Sequence, residues 1–159
     1  MSTDVVTAER VIPAPPEKIF DLLVDPTRHR EIDGSGTLVE AKDPSTRLKL
    51  GDRFGMAMKM GVPYSMVSTV IELEENRRIA WQTRGGGRLG ARAGGRIWRY
   101  ELEPVDGGTK VTHSYEITLL PLRPMRAVYG ALLPDHRDMR PQMRTNLEAL
   151  EQLFRTRAA

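Results

Sequence analysis

The hydrophobic and polar positions near the start of the chain predict a strand followed by a helix. Val11 and Ile12 close a β-type run, and the three prolines that follow cannot continue it, because proline has no N–H to donate. Pro16 can open a helix, since the first-turn N–H groups have no intrahelical partner. The apolar residues within 19–23 then fall on one side at helical spacing, and Asp25-Pro26 is expected to end the helix.

The middle of the chain alternates apolar and polar residues with the period of 2 that is typical of strands. Within 53–60, one face carries Phe54 and three methionines, and 61–63 breaks the pattern. Turn sequences separate the segments, and Asp106-Gly107-Gly108 is a strong hairpin signal. These segments favour an antiparallel meander with one apolar, aromatic face. The further predicted strands are residues 37–41, 64–73, 78–84, 96–103 and 110–118.

The last part of the chain carries the longest helical pattern. From about residue 138, apolar residues recur at spacings of 4, 4, 3 and 4, namely Met139, Met143, Leu147, Leu150 and Phe154. A shorter helix is predicted at 124–133, and a long glycine-rich loop at 85–95. Since no repeat or linker divides the chain, we expect a single domain over residues 1–159.

Composition narrows the classes of function. The 159 residues contain no cysteine, which excludes disulfides, thiolate metal sites and a cysteine nucleophile. No apolar run is long enough to cross a bilayer, so membrane insertion is not expected. The N-terminus has neither a basic leader nor an apolar signal core, so a cytoplasmic location is expected. The net charge of +3 owes more to arginine than to lysine, with one local concentration at 84–96, and nucleic-acid binding is not expected.

The sharpest candidate site is a group of aromatic residues on the two strands of the last hairpin. Trp98, Tyr100, His113 and Tyr115 fall on the apolar faces of those strands and should lie close together. An imidazole and two phenols among apolar walls suit a ligand carbonyl or hydroxyl. With a reference pKa of about 6.5, His113 is also a candidate general base, and Tyr115 a candidate acid. A core histidine hydrogen-bonded to a neighbouring tyrosine, or ligand contact without chemistry, explains the same pattern.

Apolar side chains complete the predicted ligand-binding set. Methionine is flexible and polarizable and suits irregular ligands, although ordinary core packing explains any single methionine. The additional predicted ligand residues are Phe54, Met56, Met58, Met60, Trp81, Met139 and Met143.

The remaining histidines and the glycine-rich loop carry weaker signals. His29 and His136 lie among charged residues and are expected to be solvated loop histidines. Scattered histidines do not make a metal site, which needs several convergent ligands, and no metal or cofactor is expected. The segment 84–96, RGGGRLGARAGGR, lacks the ending of a phosphate loop. It is either a surface hairpin or a lid whose arginines meet an anionic head group.

The order of these segments resembles the START-like superfamily, also called SRPBCC, and its polyketide cyclase/dehydrase branch. The matching pieces are VIPAPPEKIFDLLVDPTRHREI at the start, RIWRYELEPVDGGTKVTHSYEIT in the last hairpin and NLEALEQLF in the final helix. Arg30-Glu31-Ile32 stands where many relatives have a tryptophan, and the loop 85–96 is longer than usual. The resemblance implies an α+β helix-grip fold of order β-α-α-β(5-6)-α, in which a curved antiparallel sheet wraps around a long C-terminal helix and leaves a cavity.

The resemblance and the residues together leave three functions open. The leading hypothesis is binding of a small hydrophobic ligand, a lipid or a polyketide-like molecule, between the sheet and the final helix. The second is a cyclase/dehydratase that uses His113 and a tyrosine in acid–base chemistry without a metal. The third is a protein-interaction or toxin–antitoxin-type regulatory module with a protein partner, supported by the arginine loop alone. A monomer or a homodimer fits each of them.

Overall fold

A computed structural model of the protein describes residues 5–25, 28–29, 38–42, 47–60, 62–85, 95–119 and 140–158. Within these ranges, seven strands and two helices follow one another along the chain. They are β1 (Val5–Ile12), α1 (Pro16–Leu23), β2 (Leu38–Lys42), β3 (Arg53–Met60), β4 (Val62–Glu74), β5 (Arg78–Gly85), β6 (Gly95–Val105), β7 (Gly108–Leu119) and α2 (Arg140–Ala158).

These strands form one antiparallel sheet in the order β1-β7-β6-β5-β4-β3-β2. Strands β2 to β7 follow the chain as a meander, as predicted, and β1 pairs with β7. The sheet is curved and α2 packs against β1 and β7, so the predicted α+β helix-grip fold is confirmed. Between α1 and β2, where the expected order has a second helix, the structure describes only a short 3₁₀ turn at residues 28–29.

Helix α1 begins where proline chemistry predicts. Pro16 takes a first-turn position and Pro15 before it is extended, with φ −69° and ψ 152°. The helix ends at Leu23, two residues before Asp25. Its buried side chains are those that helical spacing predicts, namely Ile19, Phe20, Leu22 and Leu23. They join the main core, so α1 covers part of the inner face of the sheet.

The β6–β7 hairpin sets the register of the candidate site. Asp106 and Gly107 form its turn, and Gly107 has a φ of +87°, which favours glycine. Gly108 has a φ of +152°, and a Cβ at this position would stand 2.0 Å from the carbonyl oxygen of Ile12. The predicted hairpin is confirmed, and its tight turn brings the inward-facing residues of β6 and β7 directly opposite each other.

Two predicted boundaries differ from the structure. Val62 and Pro63, expected to belong to the break between two strands, are the first residues of β4. Proline is tolerated at the beginning of a strand, where its missing N–H costs little pairing. The glycines at both ends of the predicted loop belong to β5 and β6. The rest of that loop, 86–94, and the predicted helix at 124–133 lie outside the described residues.

Apolar packing and an ion pair hold helix α2 against the sheet. Leu147, Leu150 and Phe154 join the main core, as their spacing predicts. Glu151 on the same helix is only 6% exposed, and its carboxylate is paired with the guanidinium of Arg10 on β1. The hydrogen bond with Arg10 lowers the pKa of Glu151, which is therefore ionised at neutral pH.

Candidate functional site

A row of stacked and edge-on rings crosses the inner face of the sheet, the face that α1 and α2 cover. Neighbouring ring centroids lie 4.0–5.9 Å apart, which is the range of aromatic contacts. The row links β3 to β7, so most of the predicted ligand residues form one connected group. Its members, called here the aromatic row, are Phe54, His29, Trp81, Tyr100, His113, Trp98 and Tyr115.

Strand pairing explains why these rings meet. Trp81 lies opposite Trp98, which in turn lies opposite Tyr115. Tyr100 lies opposite His113 in the same hairpin. Side chains of directly paired residues project from the same face at close distance. The predicted proximity within the hairpin is therefore confirmed, whereas a role of these residues in binding stays a prediction.

His113 is the member of the row with the most unusual hydrogen bonding. It is fully buried, and its Nδ1 lies 3.2 Å from the carbonyl oxygen of Arg99. Its other ring nitrogen, Nε2, is buried and has no hydrogen-bond partner in the described ranges. Burial lowers the pKa of His113 from 6.5 to about 4, and the bond to Arg99 opposes this shift only in part. The imidazole is therefore neutral at pH 7.

The tyrosine next to His113 stacks on it. The ring of Tyr100 lies parallel to the imidazole, with centroids 4.0 Å apart and an interplanar angle of 9°. Trp98 also stacks on the imidazole, with centroids 5.5 Å apart. The hydrogen bond of Nδ1 goes to the backbone of Arg99, so the alternative of a core histidine bonded through Nδ1 to a neighbouring tyrosine is not what the structure shows.

His29 is buried, which corrects the prediction of a solvated loop histidine. The residue is only 5% exposed, and its ring stacks on Trp81 with centroids 5.0 Å apart and meets Phe54 edge-on. Its Nε2 lies 2.8 Å from the carbonyl oxygen of Leu23. Burial lowers the pKa of His29 as well. The sequence did not predict these contacts, because the neighbours of His29 along the chain are charged. Its partners on β3 and β5 are distant in sequence.

The two ends of the aromatic row differ in their packing. At one end, Trp98 and Tyr115 pack with Met143 of α2, and Met143 is fully buried. At the other end, Trp81 and Phe54 belong to the main core. Trp98 is only partly buried, whereas Trp81 is 7% exposed. Trp98 is therefore the least enclosed ring of the row, and the group of Trp98, Tyr115 and Met143 is called here the Met143 end.

The other predicted residues are described in part. The backbones of Met56, Met58 and Met60 lie in β3, where each pairs with β4, but their side chains lie outside the described part of the chain. Met139 and His136 are also outside the described residues. Met143 is therefore the one predicted methionine of the site whose side chain lies within the described part of the chain.

A polar pair beside the aromatic row was not among the predicted site residues. Ser68 and Thr83 are buried opposite each other on β4 and β5, and their hydroxyl oxygens lie 2.7 Å apart. Arg96 on β6 lies opposite Thr83 in the same register. The period of 2 along strand 78–84 already placed Thr83 on the same side as Trp81, so the sequence contained a signal for one member of this pair.

An ion pair on the outer face joins side chains of β4 and β6 at Arg99, the residue whose carbonyl pairs with His113. The guanidinium of Arg99 donates two hydrogen bonds of 2.8 Å to the carboxylate of Glu72. Both residues pair with Ala80 on the strand between them, whose small side chain leaves room for the contact. The hydrogen bond from Arg99 lowers the pKa of Glu72. Such a bidentate pair restricts both side chains.

A separate surface pocket of about 340 Å³ lies beside the start of α1. Its lining residues are Pro13, Ala14, Pro15, Lys18, Asp21, Arg28 and Phe154. None of them belongs to the aromatic row, and the charged side chains suit a surface depression better than an apolar binding site.

The described ranges contain neither a cluster of metal-ligating side chains nor a membrane-spanning helix. No three histidine, aspartate or glutamate side chains converge there as a metal ion would require. Neither α1 nor α2 has the length and the apolar character needed to span a bilayer.

Comparison with known proteins identifies a family. The family model described as "Polyketide cyclase / dehydrase and lipid transport" matches residues 3–155. An uncharacterized protein of Mycobacterium tuberculosis (strain H37Rv) is 34% identical over 107 residues, which are 66% of this chain and 44% of that protein. The chain thus spans less than half the length of this curated relative.

Solved structures show the same fold. A protein from Chromobacterium violaceum superposes with a TM-score of 0.65 at 18% identity, covering 95% of this chain and 96% of that chain. A polyketide cyc-like protein from Corynebacterium glutamicum gives a TM-score of 0.65 at 20% identity, covering 99% of this chain and 94% of that chain. The START-like resemblance is confirmed, and the chain belongs to the polyketide cyclase/dehydrase and lipid transport family.

Proposed function

We propose that the protein binds a small hydrophobic ligand, a lipid or a polyketide-like molecule, between the inner face of the sheet and α2. The observation that carries this proposal is Nε2 of His113, a buried acceptor without a partner among the described residues and surrounded by aromatic rings. Buried polar atoms in native proteins are nearly always paired, so an unpaired one calls for a missing partner. The family description names both cyclases and lipid transport, which supports the same class of ligand.

The Met143 end is the part of the aromatic row that we assign to the ligand. Trp98 and Tyr115 offer flat apolar surfaces, and Met143 offers a flexible one. Ligand sites typically combine mostly apolar walls with a few placed polar groups. His113, stacked on Trp98, supplies such a polar group at this end.

The acid–base alternative has less support from the same residue. A general base works best when its pKa is near the working pH. A pKa of about 4 makes His113 a weak base at pH 7, and its Nδ1 hydrogen bond is already made to Arg99. We therefore propose ligand contact, and not proton abstraction, as the role of His113.

Native mass spectrometry of protein purified without denaturation tests this proposal. We expect a mass above that of the chain by one small molecule, which is released on denaturation. Trp98→Ala removes a wall of the Met143 end and should abolish the excess mass. Ile97→Ala is the matched control, since it shortens the neighbouring side chain on the opposite face of β6 and should retain the ligand. A wild-type protein without excess mass that also fails to take up the apolar dye N-phenyl-1-naphthylamine would overturn the proposal.

A further inference from the structure

The hydrogen bond to Arg99 holds the imidazole of His113 in one tautomer. A backbone carbonyl can only accept a hydrogen bond, and its oxygen lies 3.2 Å from Nδ1. Nδ1 must therefore carry the hydrogen. In a neutral imidazole with its hydrogen on Nδ1, Nε2 has a lone pair and no hydrogen, so it can only accept.

The surroundings keep His113 in this neutral form. The residue is fully buried, and burial lowers its pKa to about 4. Tyr100 and Trp98 stack on the imidazole, but the lone pair of Nε2 lies in the ring plane and is not satisfied by stacking. A buried acceptor in this state is complementary to a hydrogen-bond donor and to no other polar group.

This complementarity discriminates between ligand classes. A ketone, ester or carboxylate would turn an oxygen lone pair toward the lone pair of Nε2. An amine would be charged at neutral pH and costly to bury. An amide would bring a carbonyl that needs a donor of its own. A hydroxyl group supplies the missing donor without adding charge.

We propose that the ligand is an apolar molecule with a hydroxyl group, whose O–H donates to Nε2 of His113 while its apolar body packs on Trp98, Tyr115 and Met143. This inference rests on the proposed function and specifies the chemistry of the same site. A planar phenol and a flexible long-chain alcohol share this chemistry, and the test below distinguishes them.

Matched probe pairs test the hydroxyl preference by titration with tryptophan fluorescence or calorimetry. The aromatic pair is 2-naphthol and 2-fluoronaphthalene, and the aliphatic pair is 1-decanol and 1-fluorodecane. Within each pair, the sizes are similar and only the first member can donate. In at least one pair we expect the alcohol to bind about tenfold more tightly, as one net hydrogen bond allows. The pair that shows the preference tells whether the natural ligand resembles a phenol or an alkyl alcohol.

Two substitutions on β7 assign the preference to His113. His113→Phe keeps a stacking ring but removes the acceptor, and should abolish the difference between alcohol and fluoride. Thr112→Val changes the neighbouring residue, whose hydroxyl bonds Glu9 at 3.5 Å, and should preserve the difference. Because His113→Phe can impair folding, the nitrogen chemical shifts of His113 in the wild-type protein provide a second measurement. Binding of the alcohol should shift the Nε2 resonance toward that of a hydrogen-bonded acceptor and leave Nδ1 protonated.

The outcomes separate this inference from the proposed function. Equal affinity for alcohol and fluoride in both pairs would overturn the hydroxyl preference, while binding itself would uphold the proposed function. Retention of a small molecule in native mass spectrometry without binding of any of the four probes would also overturn the inference alone. An Nε2 resonance that already shows a bound hydrogen would contradict the tautomer on which the inference depends. Absence of both probe binding and a retained molecule would overturn both proposals.

Discussion

The imidazole of His113 lies parallel to the ring of Tyr100, with centroids 4.0 Å apart and planes inclined by 9°. This stack is a direct consequence of the cross-strand pairing of the two residues in the β6–β7 hairpin. The ring nitrogens form hydrogen bonds in the plane of the imidazole, so their partners lie at its edge. One edge nitrogen meets the carbonyl of Arg99 and the other is unpaired within the described structure. The ring that our proposal assigns to ligand recognition is therefore also part of the buried core.

Acidification is expected to destabilise the protein before its carboxylates titrate. His29 and His113 have pKa values lowered by burial, that of His113 to about 4, whereas an unfolded histidine has a pKa of about 6.5. Below about pH 6.5 the unfolded chain therefore binds more protons than the folded protein. The free energy of unfolding then falls with pH, by at most about 1.4 kcal/mol per pH unit for each histidine. The loss from His113 should level off below about pH 4.

Urea unfolding between pH 7 and pH 5 measures this effect. Glu72 and Glu151, whose pKa values are lowered by their arginine partners, contribute only at lower pH. The His113→Phe variant should show a smaller loss over the same interval. A free energy of unfolding that does not change between pH 7 and pH 5 would contradict the buried neutral state of both histidines.

The two tryptophans can locate the ligand. The chain contains only Trp81 and Trp98, and the latter belongs to the Met143 end. Because the two residues lie opposite each other on β5 and β6, only a quencher that acts at contact can tell them apart. A brominated apolar probe that binds at the Met143 end should quench Trp98 by contact. The Trp81→Phe variant, which retains Trp98, should then lose most of its emission, and the Trp98→Phe variant should lose little. Stronger quenching of Trp81 would move the binding site toward the His29 end of the aromatic row.

Gly108 is expected to tolerate no side chain. A Cβ there would stand 2.0 Å from the carbonyl oxygen of Ile12, so Gly108→Ala must displace β1 or the hairpin turn. We expect the free energy of unfolding to fall by more than about 2 kcal/mol, from the steric conflict and the unfavourable φ together. Gly107→Ala is the control, since its Cβ would meet nothing within 4 Å and should cost only about 1 kcal/mol through its φ of +87°. Equal losses in the two variants would show that Ile12 can move away freely.

The ion pair between α2 and β1 is expected to stabilise the protein through Glu151. Arg10→Met removes a partner of this nearly buried carboxylate and should lower the free energy of unfolding by about 1–2 kcal/mol. The double variant Arg10→Met/Glu151→Gln should lose less than the sum of the single losses, because the nearly buried carboxylate that Arg10→Met leaves with only Arg155 as its partner is then absent. Glu148, which lies 3.8 Å from Arg10 and is exposed, provides the control: Glu148→Gln should change stability by less than about 0.5 kcal/mol. Additive losses in the double variant would contradict a coupled pair.

Much of the fold could be predicted because local patterns express it. Proline chemistry predicted the start of α1, and alternation predicted the inner faces of β6 and β7. The turn at Gly107 then brought Trp98, Tyr100, His113 and Tyr115 together, since a hairpin register depends on only a few neighbouring residues. These predictions needed no knowledge of distant contacts.

The burial of charged and polar groups could be recognised only from the tertiary structure. His29 lies among charged residues in the chain, yet it is enclosed by Phe54 and Trp81, and Glu151 is enclosed on an otherwise polar side of α2. Such burial depends on partners far away in sequence, and it is tolerated only when those partners supply hydrogen bonds or opposite charge.

The sequence by itself determined the family, the order of elements and the face on which the aromatic residues lie. The tertiary structure alone decided the tautomer of His113 and the lowered pKa values of both buried histidines. The physical reason is that a repeating pattern specifies which side a residue faces. The chemistry of a buried ring depends instead on the individual atoms that enclose it.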